Sequence, residues 1–535
     1  MNSQRLILFL VFSVSVLFLW EAWQRDKQAP VVAGKPAVTV QTATGTTVGS
    51  TPNSQGLLPS LQKIQVKTDL FAAQIDTRGG DLRELVLLNH GDTTDKNKPF
   101  VLLQSHGGAH TYVAQSGLIG AQLPNHTTTF QAEKTAYTLE QGQQSLSVTL
   151  RTPATDGVIV SKTYTFKRGS YVVDVSYTLQ NTGAQALNAG AYFQLVRDGQ
   201  PSAGESRSVS VFTGPAVYSE AKKYQKIEFK KLDKHEADFV KQASDGWVAM
   251  VQHYFVSAWL PAAQQARENY AETLGNGLYR VGVKLPVVSI PAGGKAEIAM
   301  PLFVGPQEQD KLAAAAKGLE LVVDYGWLTV FATPLFWVLQ HLHSLVQNWG
   351  VAIILLTVLV KGAFFPLSAA SYRSMAKMKA VAPRLEQIKA QHGDDRQKMH
   401  QAMMEMYKTE KINPLGGCLP MLVQIPVFIA LYWVLLGSVE LRHAPFFGWI
   451  HDLSVQDPYY ILPIIMGASM WFQSRLNPTP PDPVQAKVMQ IMPIVMSVFF
   501  LWFPAGLVLY WVVNNLLSIA QQWQINRMLE PAKSV

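Results

Sequence analysis

The chain has 535 residues, of which 48% are hydrophobic and only 15% charged, with a formal net charge of +8. Length alone fits about three or four soluble domains, but apolar runs crowd the last third and argue against a wholly soluble protein. The positive balance fits either nucleic acid or the basic cytoplasmic loops of a membrane protein. No stripe of Lys/Arg interleaved with aromatics supports nucleic-acid binding.

MNSQR (1–5) precedes the apolar run LILFLVFSVSVLFLW, Leu6 to Trp20. The following WEAWQRDK offers no small-x-small cleavage site, and Trp20 and Trp23 suit an interfacial belt. An uncleaved anchor over 6–24 is therefore expected, with a cleaved signal peptide as its competitor. Residues 25–56 read as a flexible linker, whose only charge from residue 28 onward is Lys35.

From 57 to 322 the dominant period is two. In YVVDVSYTLQN, Tyr171, Val173, Val175, Tyr177 and Leu179 alternate with Val172, Asp174, Ser176, Thr178 and Gln180. Such strands, broken by Gly, Asn and Asp turns, predict a large antiparallel β-sandwich, with a short helix near Gln307–Lys317. At this size the domain holds itself by its own core. The lone cysteine, Cys418, allows neither an intrachain disulfide nor a cysteine metal site.

Residues 323–349 predict an amphipathic helix lying in the membrane interface. Leu335, Val338, Leu339, Leu342, Leu345, Val346 and Trp349 form its apolar face; Gln340, His341, His343, Ser344, Gln347 and Asn348 form the polar one. The i, i+2 spacing of the two histidines sends them in diverging directions, which favours solvation over a shared metal.

Five further apolar segments follow, 350–370, 415–439, 459–474, 486–503 and 506–526. The segment 371–413 between the first two carries nine Lys/Arg against five carboxylates, whereas 440–457 has Arg442 against Glu440, Asp452 and Asp457. The positive-inside rule puts 371–413 in the cytoplasm and 440–457 outside. The β-domain is then external, and both termini, including the tail 528–535, are cytoplasmic.

Helical spacing on both sides of His392-Gly393-Asp394-Asp395 predicts a cytoplasmic helical hairpin, with Gly ending one arm and Asp capping the next. Met399, Met403, Met404 and Met406 on its second arm either pack against the first arm or form an adaptable docking surface for apolar clients.

In ILLTVLVKGAFFPLSAA, Lys361 lies near the middle of an apolar run. Lysine at a helix centre costs on the order of 2.5–3.5 kcal/mol on insertion scales. Pairing is not offered, because 350–370, 415–439, 459–474 and 506–526 contain no Asp or Glu. Snorkelling toward the cytoplasmic end is one outlet. The other is a water-filled concavity, since Thr357 sits one turn before Lys361, Gln424 lies between Pro420 and Pro426, and Tyr510 precedes Asn514 and Asn515 by one turn. Each polar group could also serve as interhelical glue. No Ser-His-Asp, HExxH, phosphate loop or CxxC pattern offers a catalytic set or a metal site.

NPLGGCLPMLVQIPVFIALYWVLLGSVELR, FFGWIHDLSVQDPYYILPIIMG and VFFLWFPAGLVLYWVVNNL resemble the bacterial insertases of the YidC/Oxa/Alb family, from about Asp324 to Arg527. The anchor, linker and β-domain match the Gram-negative type. The resemblance implies a multi-domain protein of the bacterial inner membrane. It would comprise an all-β periplasmic supersandwich, similar to sugar-mutarotase folds without their activity, and an α-helical bundle of five core transmembrane helices plus one N-terminal anchor helix. It also implies a hydrophilic groove open to cytoplasm and lipid, no cofactor and no enzymatic activity. Implied partners are nascent membrane proteins, the Sec translocon with its accessory subunits, the ribosome and the lipid bilayer. The groove charge of the family, typically arginine, aligns with Lys361, its polar positions with Thr357 and Gln424, and its aromatic pair with Tyr510 and Trp511. Asn514 completes the expected client-binding set. Two other classes remain open, a secondary transporter or channel with an intramembrane cationic site, and an anchored periplasmic sugar-acting enzyme.

Overall fold

The computed structural model describes residues 60–93, 95–106, 110–201, 211–392, 395–410, 419–476 and 483–529. The expected anchor 6–24, the linker 25–56 and Cys418 lie outside the described residues.

Residues 63 to 306 form a two-sheet sandwich, as the alternation predicts. Strand Val172–Asn181 buries Val173, Val175, Tyr177 and Leu179 completely. It pairs antiparallel with Val158–Lys167 and Lys295–Pro306 in the middle of a nine-stranded sheet. The facing sheet has ten strands, with Leu187–Asp198 central between His110–Ile119 and Leu278–Ile290. Phe193, Leu195, Val281 and Val283 point from it into the shared core. Period-two side chains place one row inward and the next outward on every strand, so each sheet contributes one face to a single apolar layer.

The helices are numbered in chain order: α1 Phe229–Asp233, α2 Gln309–Ala315, α3 Thr329–Val346, α4 Trp349–Ala363, α5 Phe365–Ala380, α6 Ala382–His392, α7 Arg396–Thr409, α8 Leu419–Gly437, α9 Ile461–Leu476, α10 Pro483–Phe499 and α11 Ala505–Leu529. Helix α2 answers the short helix expected near Gln307–Lys317.

Helix α3 departs from the simple amphipathic reading. Its buried row is Ala332, Phe336 and Leu339, packed against α4 and α8, whereas Leu345, placed on the apolar face by its spacing, is 79% exposed. Trp327, Val330, Phe331 and Trp337 are exposed as well. A helix apolar on two sides fits one that meets protein on one side and lipid on the other. His341 Nδ1 donates to the Trp337 carbonyl and the His343 ring stacks on Trp349, so neither histidine is aimed at a shared ion.

The segment 350–370 is not one straight span. It is α4 and α5, meeting at Phe364 with a 65° bend. Pro366 supplies the cause, since it has no N–H for the Gly362 carbonyl and is tolerated only in the first turn of a new helix. Among the described residues no single helix is long and apolar enough to cross a membrane alone; this bent pair passes by length and composition. The helical hairpin forms from α6 and α7, and Asp395 caps α7 by accepting from the Gln397 and Lys398 amides at 3.1 Å each. Arg384 on α6 pairs with Glu410 just after α7.

The end of α8 and the residues after it dock onto the β-domain. Arg442 donates to the Gly91 carbonyl at 2.6 Å and to Thr93 Oγ1 at 3.0 Å, with its guanidinium 5.3–5.9 Å from the rings of Phe100, Phe255 and Tyr254. His443 bridges Asp452 at 2.9 Å and the Asp92 carbonyl at 3.1 Å, and His253 meets the Leu436 carbonyl at 3.0 Å. A planar, five-donor group suits this site because it can stack and bridge at once.

Arg442→Ala lowers stability by about 2 kcal/mol, because it leaves buried carbonyl and aromatic surface without its partner; Arg442→Lys recovers only part. Thermal unfolding of the detergent-solubilised protein reads this, and an unchanged midpoint refutes the anchoring role. Beside Arg442, burial raises the Glu440 carboxyl from 4.5 to about 7, with Glu308 and Asp310 adding repulsion and Lys311 opposing it. A carboxyl raised in the fold contributes stability that is fully present below 4.5 and lost as pH climbs through about 7. Glu440→Gln therefore raises the unfolding midpoint at pH about 8 and leaves it nearly unchanged at pH about 4; equal effects at both pH values contradict the assignment.

Candidate functional site

Helix α4 buries Gly350, Ile353, Thr357 and Lys361 at i, i+3 and i+4 spacing, together with Ala352 and Leu356. Lys361 thus ends a stripe that is otherwise apolar core. It does not run to the surface. The residue is 5% exposed, and its Nζ donates to Ser518 Oγ on α11 at 2.7 Å. Ser518 Oγ in turn donates to the Asn514 carbonyl one turn earlier, also at 2.7 Å. Tyr372 on α5 makes a long contact, 3.5 Å, to the Ser518 carbonyl. Among the described residues no carboxylate pairs with Lys361.

Thr357 is 1% exposed, and its hydroxyl donates to the Ile353 carbonyl of its own helix at 2.7 Å. It shares the buried face with Lys361 but is satisfied locally. The two asparagines of α11 separate. Asn514 lies on the Lys361 side through its carbonyl, whereas Asn515 donates to Ser469 Oγ on α9 at 3.1 Å and acts as interhelical glue.

Tyr510, Asn514 and Ser518 are spaced by four, one ridge of α11. Ser518 escapes a reading by residue type because serine is common in apolar helices, yet this i, i+4, i+8 ridge is visible in the sequence. Tyr510 is buried and lies parallel to Phe428 on α8, with ring centroids 6.2 Å apart. Trp511 meets the same Phe428 edge-on at 4.5 Å and Phe500 at 5.6 Å. Phe428 is thus the second residue that polar-residue reasoning misses. Gln424, half-buried, lies one turn before Phe428 on α8, two residues before Pro426; no hydrogen bond joins it to Lys361. The expected set therefore divides into a Lys361–Asn514 part on α4 and α11 and an aromatic part on α8 and α11, with Thr357 beside the first and Gln424 beside the second.

In the hairpin, Met399, Met403 and Met406 are half-buried and Met404 is 42% exposed. Part of the methionine surface is covered within the fold, and part faces outward.

The β-domain has its own buried polar chain. Tyr270 donates to Gln194, Gln194 to Gln115 and Gln115 to Asp81, at 2.8–2.9 Å, with Arg83 also on Asp81. Lys162, beside it, donates to the Gly79 carbonyl at 3.0 Å. Burial raises the Asp81 carboxyl and depresses the Lys162 ammonium. Asp81 and Lys162 are both 0% exposed, so this acid and base are closed inside the sheet rather than set in a cleft where a sugar could react.

The comparisons agree with the two-part architecture. The YidC periplasmic domain family matches residues 63–338, and the 60Kd inner membrane protein family matches 341–533. The membrane protein insertase YidC of Aromatoleum aromaticum is 55% identical, with 100% of this chain and 99% of that protein covered. That of Nitrosospira multiformis is 54% identical over 99% of this chain and 98% of its own length. The chain belongs to the YidC family. A solved active YidC insertase with its first transmembrane domain resolved is 18% identical, covers 89% of this chain and 94% of its own, and has a TM-score of 0.40. Family membership assigns residues 63–338 to the periplasmic domain of a YidC protein and the helical remainder to its inner-membrane part.

The two polar pairs of α11, Lys361–Ser518 and Asn515–Ser469, join it to different helices and separate experimentally. Ser469→Ala removes the Asn515–Ser469 bond between α11 and α9 and costs about 0.6 kcal/mol, read by thermal unfolding in detergent. Insertion activity stays at the native level; a selective loss of activity without loss of stability contradicts the glue assignment.

Proposed function

We propose that this chain is a membrane protein insertase of the inner membrane, not an enzyme, and that Lys361 is the charge which transiently holds hydrophilic segments of its clients. One observation carries the reading. A buried ammonium is held by a neutral hydroxyl in a bundle whose Lys361-, Ser518- and Phe428-bearing segments contain no carboxylate. Such a cation retains most of its demand for an anion, and a passing client carboxylate can meet it.

In this mechanism a short polar segment of a nascent membrane protein enters from the cytoplasmic side and is held near Lys361. Local water around Thr357, Gln424, Tyr510, Trp511 and Asn514 lowers the cost of stripping that segment of its hydration. The apolar segment of the client then moves into lipid along α8 and α11. Burial at about 0.8 kcal/mol per CH2 drives the step without nucleotide. The membrane potential adds about 2.3 kcal/mol per 100 mV for each acidic charge carried outward.

The bent α4–α5 pair supports this arrangement, because the helix breaks at Phe364, three residues after Lys361, and non-helical backbone at membrane depth is tolerated where it is buried in protein or lines a wet cavity. The hairpin α6–α7 receives clients through Met399, Met403, Met404 and Met406. Helix α3 sets the external rim. The amino and carboxyl termini are cytoplasmic, with six spans in all, counting 6–24. The Sec translocon, its accessory subunits and the ribosome are the partners in this reading, engaged through the cytoplasmic loops and the bilayer-facing helices.

The test is insertion of a small two-span client, followed by protease protection after depletion of the native protein and complementation with variants. Lys361→Ala reduces insertion of a client with an acidic translocated segment about tenfold, equivalent to about 1.4 kcal/mol. Lys361→Arg restores it, because charge rather than fork geometry is required. Native-level insertion of every client by the alanine variant rejects the proposed role of the charge.

A further inference from the structure

Ser518 on α11 is the residue that Lys361 touches. Both are nearly enclosed, at 4% and 5% exposure. An ammonium has no acceptor, so in the 2.7 Å contact the serine oxygen must accept. Its single proton is then free for the Asn514 carbonyl, which it reaches at 2.7 Å. The direction of both bonds is forced, and the chain runs one way from α4 through the hydroxyl into the α11 backbone. A hydroxyl whose proton is committed to a carbonyl is a better acceptor than a free one.

We propose that Ser518 is a positioning residue. It parks the Lys361 ammonium against α11 and sets the threshold at which a client group can draw it away. The proposal rests on reading Lys361 as the charge that meets clients. A lysine is a point charge on a flexible four-carbon stem, unlike the rigid fork of an arginine. Where the resemblance leads one to expect arginine, the lysine needs an outside acceptor to give it a direction, and Ser518 supplies one.

The chemistry of competition follows. A client hydroxyl or amide offers the ammonium the same kind of neutral acceptor that Ser518 already provides, and gains nothing by displacing it. A carboxylate brings an opposite charge as well as an acceptor, adds an ion–ion attraction that the hydroxyl cannot give, and displaces it. Ser518 therefore makes Lys361 answer to acidic segments and ignore neutral polar ones. Without it the ammonium is free to engage either.

The experiment uses the full chain in lipid nanodiscs and in proteoliposomes. The yield of Lys361 acetylation by a water-soluble acylating ester, read by peptide mass spectrometry, reports whether the amine is parked. The ratio of insertion of two matched clients, one with an acidic and one with a neutral polar translocated segment, reports selectivity. Ser518→Ala is expected to raise acetylation by about threefold or more and to lower the acidic-to-neutral ratio by a similar factor. Ser518→Thr keeps the hydroxyl and the bond to the helix backbone and restores both values, which a purely structural role in packing does not require. Unchanged acetylation or an unchanged ratio in Ser518→Ala overturns the proposal. Lys361→Ala, run beside it, separates the two levels. If Lys361→Ala also leaves the ratio unchanged, the reading of Lys361 has failed; if it lowers the ratio and Ser518→Ala does not, only the positioning role has.

Discussion

A positive charge enclosed by apolar helices constrains everything around it. Lys361 lies at the end of the buried stripe of α4, and no acidic side chain of that segment or of the other Asp- and Glu-free segments meets it. Its position is tolerable because a hydroxyl and a backbone carbonyl of α11 stand in line to accept it. That requirement fixes which faces of α4 and α11 must meet. The adjoining flank of α11 is then left to Asn515 and its bond to Ser469, which ties α9 into the bundle. Low dielectric makes each of these polar contacts stronger, and equally makes a missing one expensive.

The shape of the lysine segment, set by Pro366, suits the same constraint. One helix running straight through 350–370 would carry the charge past the middle of an unbroken apolar cylinder. The chain instead turns by 65° three residues after Lys361, at Phe364, where Pro366 starts a new helix. The charge thus sits within one turn of an irregular backbone, the place where polar groups in a bilayer protein are least costly.

The sandwich and the bundle are joined by side chains as well as by sequence. Arg442 and His443 tie the loop after α8 to backbone carbonyls and aromatic rings of the β-domain, and His253 of that domain meets the Leu436 carbonyl in the last turn of α8. Glu440 adds a group whose burial favours its neutral form. A large periplasmic domain anchored in this way holds the end of α8 that leads into it, while the end of α5 that leads into the hairpin has no comparable plug of aromatic and guanidinium groups among the described residues.

Much of this was legible in the residues alone. Period-two alternation identified the strands because a sheet with one dry face writes its burial directly into every second position, as Val173, Val175, Tyr177 and Leu179 illustrate. The aspartate that caps α7, the short α2 helix and the anomalous Lys361 were likewise local features. What sequence could not decide was where long-range partners lie. Leu345 obeys the helical spacing of an apolar face yet is exposed, because which side of α3 meets α4 and α8 depends on packing rather than period. Snorkelling and burial of Lys361 are equally compatible with its position along the chain. Only tertiary structure selects burial, by bringing Ser518, 157 residues away, to within 2.7 Å of its ammonium. Local periodicity is set by backbone geometry and can be read one residue at a time, whereas the fate of a buried charge is set by whatever acceptor the folded chain delivers to it.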